Sequence, residues 1–127
     1  MKIKQITPIM IVREIESHLP FWENMGFKCV ADVQHEGKLG FVMLVNENAH
    51  VMLQSEASAI ADLKVKSYVK AGDVVQYIDI DSITEAEKFI KAMNAKILVG
   101  PRTTDYGAKE IFVLIEDKFV IGFAEHN

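Results

Sequence analysis

The segment Phe41-Val42-Met43-Leu44-Val45 is matched 70 positions later by Ile111-Phe112-Val113-Leu114-Ile115. A second match at a shift of 68 precedes it, and its members are Ile15, Phe21, Met25 and Lys28, answered by Ile83, Phe89, Met93 and Lys96. The two matches have nearly the same shift, and each relates the first half of the chain to the second. They therefore indicate a repeated fold and not a local motif. They predict that the chain contains two copies of one structural unit.

The first copy begins with an apolar run over residues 6–12, which is typical of a strand that enters the core. Apolar residues spaced by three or four positions follow, and they predict a helix that ends at Gly26. Pro20 disfavours a helix interior, so we expect the helix to start near Ser17, with the serine as its cap and the proline in the first turn.

Three apolar segments follow, over residues 27–34, 39–45 and 49–54, and short polar connections separate them. This pattern predicts consecutive antiparallel strands joined by hairpin turns. The lone Cys29 falls within the first segment, where we expect a buried, inert thiol. The Ala-rich residues after position 54 are weakly helical, and we interpret them as a linker.

The second copy repeats this order, with strands predicted over residues 74–80, 96–99, 111–115 and 119–124. Alternation in the last strand predicts that Phe119 lies on the face covered by the helices. Its helix begins at the capping-box sequence Ser82-Ile83-Thr84-Glu85. The predicted fold is therefore α+β, with two tandem βαβββ modules whose curled antiparallel sheets enclose a cavity and whose helices lie outside. We expect one domain over residues 1–127, with module one at 1–54, a linker at 55–71 and module two at 72–127.

Composition narrows the class of protein. The 127 residues fit one domain, and no apolar run of about 18 residues indicates a membrane span. The formal charge of −4 comes without basic clusters, so we expect neither nucleic acid nor membrane as a partner. The amino terminus lacks the features of a secretory signal, which favours a cytoplasmic location.

The whole pattern resembles the vicinal oxygen chelate superfamily of glyoxalases, extradiol dioxygenases and bleomycin-resistance proteins. The resemblance covers nearly the whole chain, and its order and spacing are more specific than any one motif. The segments that carry it are Ile6 to Val12, Leu19-Pro20-Phe21-Trp22-Glu23 with Gly26-Phe27, Gly40 to Leu44, and Gly122-Phe123-Ala124-Glu125.

The resemblance implies a metal site, with one ligand from the first and one from the last strand of each module. Carried over by register, those positions are Thr7, Met52, Val75 and Gly122. None of them offers the imidazole or carboxylate that such a cation needs. A register error of one residue adds a single possible donor, Gln76. The chain is therefore most similar to the metal-free, bleomycin-resistance-like branch, and we expect no cofactor.

Candidate ligand-binding residues follow from strand alternation and from the turn-rich segment 100–108, which resembles a pocket-bordering loop in bleomycin-resistance-like proteins. They are polar or aromatic side chains on the face opposite the helices, or in that loop. The set is Phe41, His50, Met52, Tyr77, Arg102, Tyr106, Glu110 and Phe112. Each is also compatible with an ordinary core or surface role, and no catalytic pair emerges.

Three functions remain open at this point. The leading one is a metal-free small-molecule binding protein that sequesters an aromatic or cationic ligand, without an enzymatic activity. The second is a metal-dependent glyoxalase- or dioxygenase-type enzyme with displaced donors, namely His50, Gln54, Gln76, Glu125 and His126. The third is an interaction module built around the linker. Proteins of this kind commonly form homodimers, so we expect a homodimer.

Overall fold

A computed structural model describes residues 1–63 and 68–126. Within those residues it contains eight strands and three helices, which confirms the mixed α+β class. The elements in chain order are β1 (Ile3–Val12), α1 (Leu19–Asn24), β2 (Lys28–His35), β3 (Lys38–Asn46), β4 (Ala49–Ser55), α2 (Glu56–Leu63), β5 (Val74–Ile80), α3 (Ile83–Ala92), β6 (Lys96–Thr103), β7 (Lys109–Ile115) and β8 (Phe119–Glu125).

The chain divides into two compact units that do not coincide with the halves of the sequence. The C-terminal unit comprises Met1–Ile6 and Val75–Asn127, and the N-terminal unit comprises Thr7–Val74. Strand β1 contributes residues to both. No helix in the described ranges is long and apolar enough to cross a membrane.

In the N-terminal unit the strand order is β2-β3-β4-β1, with β1 parallel to β4 and the other pairs antiparallel. Alternate residues of β3 and β4 face α1 and form the core with Val12 and Ile15. The buried members of this core are Val12, Ile15, Val42, Leu44, Val51 and Leu53. Helix α2 contacts β3 and β4.

In the C-terminal unit the order is β5-β8-β7-β6, again with one parallel pair, β5 and β8. Helix α3 covers one face, and its apolar side packs on alternate residues of the strands. The buried members of this core are Ile80, Ile83, Ala86, Ile90, Ile111, Val113 and Phe123. The predicted cap of α3 is confirmed, since the Ser82 hydroxyl accepts a hydrogen bond from the Glu85 amide at 3.2 Å.

Helix α1 departs from the prediction at its start. Its N-cap is His18, which makes no capping hydrogen bond, whereas the Ser17 hydroxyl contacts the Glu14 carbonyl at 3.4 Å. Pro20 does lie in the first turn, and Gly26 follows the helix with φ +105°, as a C-terminal cap requires. The helix is six residues long because the proline and the glycine bracket it closely.

The predicted linker is partly regular structure. Residues 56–63 form α2, whose Ala59 and Leu63 are buried, so the Ala-rich composition reflects a helix packed on the sheet. The Ala71 amide donates to the Glu56 carboxylate at 2.7 Å, which ties the end of this segment to the start of α2. Residues 64–67 of the predicted linker lie outside the described part of the chain.

Three other details of the prediction are wrong. Strand β6 continues to Thr103, so only residues 104–108 of the predicted loop are turn. Cys29 is exposed, because every residue of β2 except His35 lies on the surface. Phe119, expected beneath the helices, is 53% exposed because it starts β8 beside the Glu116–Lys118 turn.

Candidate functional site

Strand alternation separates the C-terminal unit into two faces. Ile111, Val113 and Phe123 point into the core beneath α3, so their neighbours in β7 and β8 point to the opposite face. Tyr77, Glu110 and Phe112 lie on that opposite face and are 8%, 2% and 4% exposed. Buried aromatic and acidic side chains therefore gather away from the apolar core.

Glu110 is the centre of this group. The Arg102 guanidinium donates to its Oε1 atom from Nε at 3.1 Å and from Nη2 at 3.0 Å. The hydroxyls of Tyr77 and Tyr106 donate to its Oε2 atom, the latter at 3.2 Å. A buried carboxylate needs such donors and a cation, because desolvation without them costs several kcal/mol. Four hydrogen bonds therefore hold Glu110 in place.

Aromatic rings surround these polar atoms. The Tyr106 and His126 rings stack with centroids 6.3 Å apart and planes inclined by 11°. The His126 Nε2 atom lies 3.4 Å from the Tyr77 hydroxyl. The Arg102 guanidinium lies 5.5 Å from the centroid of the Phe112 ring. We call Tyr77, Arg102, Tyr106, Glu110, Phe112 and His126 the Glu110 cluster.

Two members of the Glu110 cluster titrate abnormally. Burial and the hydrogen bond to Glu110 raise the pKa of Tyr77 far above its ordinary value. The pKa of Tyr106 is raised by burial of its hydroxyl and by the charge of Glu110, although its ring is exposed. Both phenols therefore stay protonated at neutral pH and act as hydrogen-bond donors to the carboxylate.

The structure tests the family metal positions one unit at a time. Val75 and Gly122 are not cross-strand partners, because Gly122 lies opposite Tyr77. Likewise Met52 lies opposite Ile9 and not opposite Thr7. A Cβ atom at position 122 would come within 2.5 Å of the Phe112 ring, which would then have to shift. The residues at these positions do not fit a divalent cation.

Two of the proposed displaced donors are engaged elsewhere. The Glu125 carboxylate accepts the Ile83 amide at 2.8 Å and so caps α3. The Gln54 side chain donates to the Ser58 hydroxyl at 3.2 Å. Gln76 is exposed. Among residues 1–63 and 68–126, no group of three or more His, Cys, Asp or Glu side chains is arranged to hold a metal ion.

The remaining predicted residues lie in the N-terminal unit. Phe41 pairs with Gln54, Met43 with Met52, and Val45 with His50 across β3 and β4. Paired residues share a face, so this set lies opposite the core formed with α1. Met52 is buried, whereas Phe41 and His50 are half-buried. Of the eight predicted residues, the C-terminal unit brings five together, and the N-terminal unit carries the other three on one face.

One cavity of the structure is not lined by any predicted residue. It measures about 590 Å³ and is an open groove of the N-terminal unit, with Arg13, Glu16, His35 and Lys38 among its lining. Its charged side chains are mostly exposed, and Glu16 already accepts the Leu39 amide at 2.9 Å. A second cavity of about 160 Å³ borders Arg102 in the C-terminal unit. The buried charges of the Glu110 cluster make it the stronger candidate site.

Sequence reasoning missed one polar residue beside this cluster and the role of one glycine. Asp79 follows Tyr77 by two positions in β5, so alternation puts it on the same face. Gly122 makes room for the Phe112 ring. The strand period was enough to find Asp79, whereas the close contact at Gly122 depends on cross-strand register, which the sequence does not specify.

Comparison with solved structures supports the fold. A glyoxalase/bleomycin resistance protein/dioxygenase superfamily member from Vibrio splendidus 12B01 superposes with a TM-score of 0.70 at 18% identity, over 98% of this chain and 100% of that one. Methylmalonyl-CoA epimerase from Streptomyces coelicolor gives 0.71 at 16% identity, over 98% of each chain. The 2,3-dioxygenase LapB from Pseudomonas sp. KL28 gives 0.68 at 10% identity, over 94% of this chain and 41% of that one.

These identities are low, so the likeness concerns the fold alone. No curated protein matches the chain. The sequence profile of the Glyoxalase/Bleomycin resistance protein/Dioxygenase superfamily, however, matches residues 2–123. That match includes every strand and helix of the chain except the end of β8. The chain therefore belongs to the glyoxalase/bleomycin resistance protein/dioxygenase superfamily.

Proposed function

We propose that this protein binds a small organic molecule without a metal ion, and that the Glu110 cluster supplies the principal contacts. The observation that carries the proposal is the pairing of two features in one unit. Gly122, at a family metal position, offers no ligating side chain, and the Phe112 ring occupies the space beside it. On the same face, buried polar and aromatic groups converge on Glu110.

The aromatic members favour a planar ligand. Tyr106 is 67% exposed and stacks on His126, which is also exposed, so a flat ring has an aromatic surface to contact. Offset stacking of this kind contributes about 0.5 to 1.5 kcal/mol beyond buried area. Phe112 extends the apolar part of the cluster behind Arg102. The protein would then act by sequestration, with no bond made or broken.

The other three predicted contacts are part of the same proposal. Phe41, His50 and Met52 share one face of the N-terminal sheet and combine an aromatic ring, an imidazole and an adaptable thioether. We also propose that the protein works as a homodimer in the cytoplasm. Light scattering at micromolar concentration tests the dimer, and a monomeric mass would contradict it.

A metal-dependent enzyme with displaced donors is the alternative. It has less support, because Glu125 caps α3 and Gln54 bonds Ser58, and no group of three or more His, Cys, Asp or Glu side chains among residues 1–63 and 68–126 is arranged to hold a metal ion. A metal site needs three or four donors that converge. An interaction module without a ligand is the remaining alternative. The buried Glu110 does not support it, because a buried carboxylate is not a surface feature.

A thermal-shift screen tests the proposal against both alternatives. We expect planar aromatic compounds to raise the melting temperature of the wild-type protein, and Ni²⁺ or Zn²⁺ to leave it unchanged. The Tyr106→Ala variant should lose the ligand-dependent shift, because its ring is exposed and lies at the centre of the proposed contact. Phe89→Ala, which truncates an exposed ring on α3, is the matched control. Stabilisation by the metals alone would refute the proposal.

A further inference from the structure

Asp79 carries a carboxylate oxygen with no hydrogen-bond donor. It lies in β5 and faces away from the core, because Ile78 and Ile80 on either side pack against that core. Its Oδ1 atom is buried and has no hydrogen-bond partner among the described residues. The residue as a whole is half-buried, so the protein does not enclose it completely.

Neighbouring carboxylates show that this is unusual in the C-terminal unit. Asp81, just beyond the end of β5, accepts the Lys2 amide at 2.8 Å. Glu125 accepts the Ile83 amide, and Glu110 accepts four hydrogen bonds. Each of these groups is supplied with donors by the fold. Asp79 receives none at Oδ1, although it lies on the same face as Glu110.

Cross-strand register relates Asp79 to the Glu110 cluster. Asp79 is opposite Ala124, Ala124 is opposite Glu110, and Glu110 is opposite Arg102. With strands about 4.8 Å apart, the Cα atoms of Asp79 and Glu110 are about 10 Å apart. Ala124 contributes only a methyl group between them. Arg102 compensates the charge of Glu110, and no ion pair of the described residues compensates that of Asp79.

An unpaired buried acceptor costs stability, about 1 to 3 kcal/mol for a typical group. Such a cost persists in natural proteins chiefly where function requires it. The donor that Asp79 lacks is one that a ligand can supply. A protonated amine is the best such donor, because a charge-assisted hydrogen bond is roughly twice as strong as a neutral one.

We propose that Asp79 accepts a hydrogen bond from a protonated nitrogen of the ligand, so that preferred ligands carry a basic amine beside an aromatic ring. The aromatic ring would contact Tyr106 and His126, the exposed rings of the Glu110 cluster. This inference rests on the proposed function and specifies the chemical class of its ligand.

The experiment compares two probes of the same shape, 2-phenylethylamine and 2-phenylethanol, by NMR titration of the wild-type protein. We expect the amine to bind about tenfold more tightly than the alcohol. The Asp79→Asn variant should bind both with similar affinity. The matched control is Asp32→Asn, which removes an exposed carboxylate of β2 and should keep the preference for the amine.

The melting temperature of the free protein supplies a second readout. Asp79→Asn should leave it unchanged or raise it, because the substitution removes an unpaired charge and no hydrogen bond at Oδ1. A lower melting temperature would overturn the inference, since Asp79 would then have a structural partner. Equal binding of amine and alcohol to the wild type would overturn the inference while the proposed function stands. Failure of both probes to bind would contradict the proposed function as well.

Discussion

Glu110 illustrates what one buried side chain requires of its neighbours. Its carboxylate is 3% exposed and is held by an arginine and two tyrosines drawn from β5, β6 and the turn before β7. The sequence identified all four residues as candidates, but each also fitted an ordinary surface role. Their convergence depends on the register of β6 and β7, which pairs Arg102 with Glu110.

Substitution of Glu110 tests this convergence. We expect Glu110→Gln to lower the free energy of unfolding by about 2 to 4 kcal/mol, since it removes the charge that Arg102 faces in a buried pair. This expected loss of stability is smaller than the loss for a fully buried ion pair, because the Arg102 side chain is 27% exposed. Urea unfolding measures it. Glu23→Gln, on the exposed side of α1, should change stability by less than about 0.5 kcal/mol. Equal stability of Glu110→Gln and wild type would refute the role of Glu110.

The raised pKa of Tyr77 predicts a loss of stability at alkaline pH. Above about pH 10 the unfolded chain releases this proton, whereas the folded protein retains it. Stability is therefore complete below about pH 10 and falls as pH rises, by up to about 1.4 kcal/mol per pH unit for one tyrosine. Tyr106 adds to the fall in the same direction.

Urea unfolding between about pH 8 and pH 11 checks this, with Tyr77→Phe as the comparison. The variant starts from a lower stability, because it lacks the hydroxyl that donates to Glu110. Its loss with rising pH should nevertheless be smaller than that of the wild type. Identical slopes would show that Tyr77 does not retain its proton in the folded protein.

At the scale of elements, strands β7 and β8 pack closely against each other at one cross-strand pair. Phe112 and Gly122 are cross-strand partners, and the ring occupies the space where a side chain of residue 122 would lie. Cores are packed densely enough that one added methyl group forces neighbours to move. At this family metal position on β8, a larger residue would therefore require the Phe112 ring to move.

Substitution of the glycine measures that contact. We expect Gly122→Ala to destabilise the protein by about 1 to 3 kcal/mol, because the buried Phe112 ring has to shift. The same substitution in a Phe112→Leu background should cost less, since the ring atoms that clash are gone. Chemical unfolding of the four proteins gives the coupling energy. If Gly122→Ala costs the same free energy of unfolding with Phe112 as with leucine at that position, the packing argument is contradicted.

Element boundaries were predictable where one local rule dominates. Strand β5 occupies the predicted residues 74–80, and the Ser82 cap is confirmed, because strand period and capping chemistry are local. Helix α1 shows the limit. The rule that serine is a good cap favoured Ser17, but the helix begins at Leu19 without a side-chain cap. Strand β6 also extends beyond Val99, because pairing with β7 overrides its glycine and proline.

At the scale of the molecule, the internal repeat predicted the α+β class, and the resemblance of the ordered segments implied the superfamily; both are confirmed. It did not predict that Met1–Ile6 groups with the C-terminal unit, since that depends on contacts distant in sequence. The module boundaries and all eight proposed ligand contacts stay predictions. The absence of donors at positions 7, 52, 75 and 122 was predicted from the sequence, whereas the contact of the Phe112 ring at position 122 required the structure.

The central claim is that this superfamily member binds its ligand without a metal ion. Elemental analysis of the purified protein, expressed in medium supplemented with Ni, Zn, Fe and Mn and then dialysed, tests it most directly. The account predicts far less than one metal ion per chain, because the family positions and the displaced donors do not form a site. A stoichiometric transition metal that survives dialysis would contradict it.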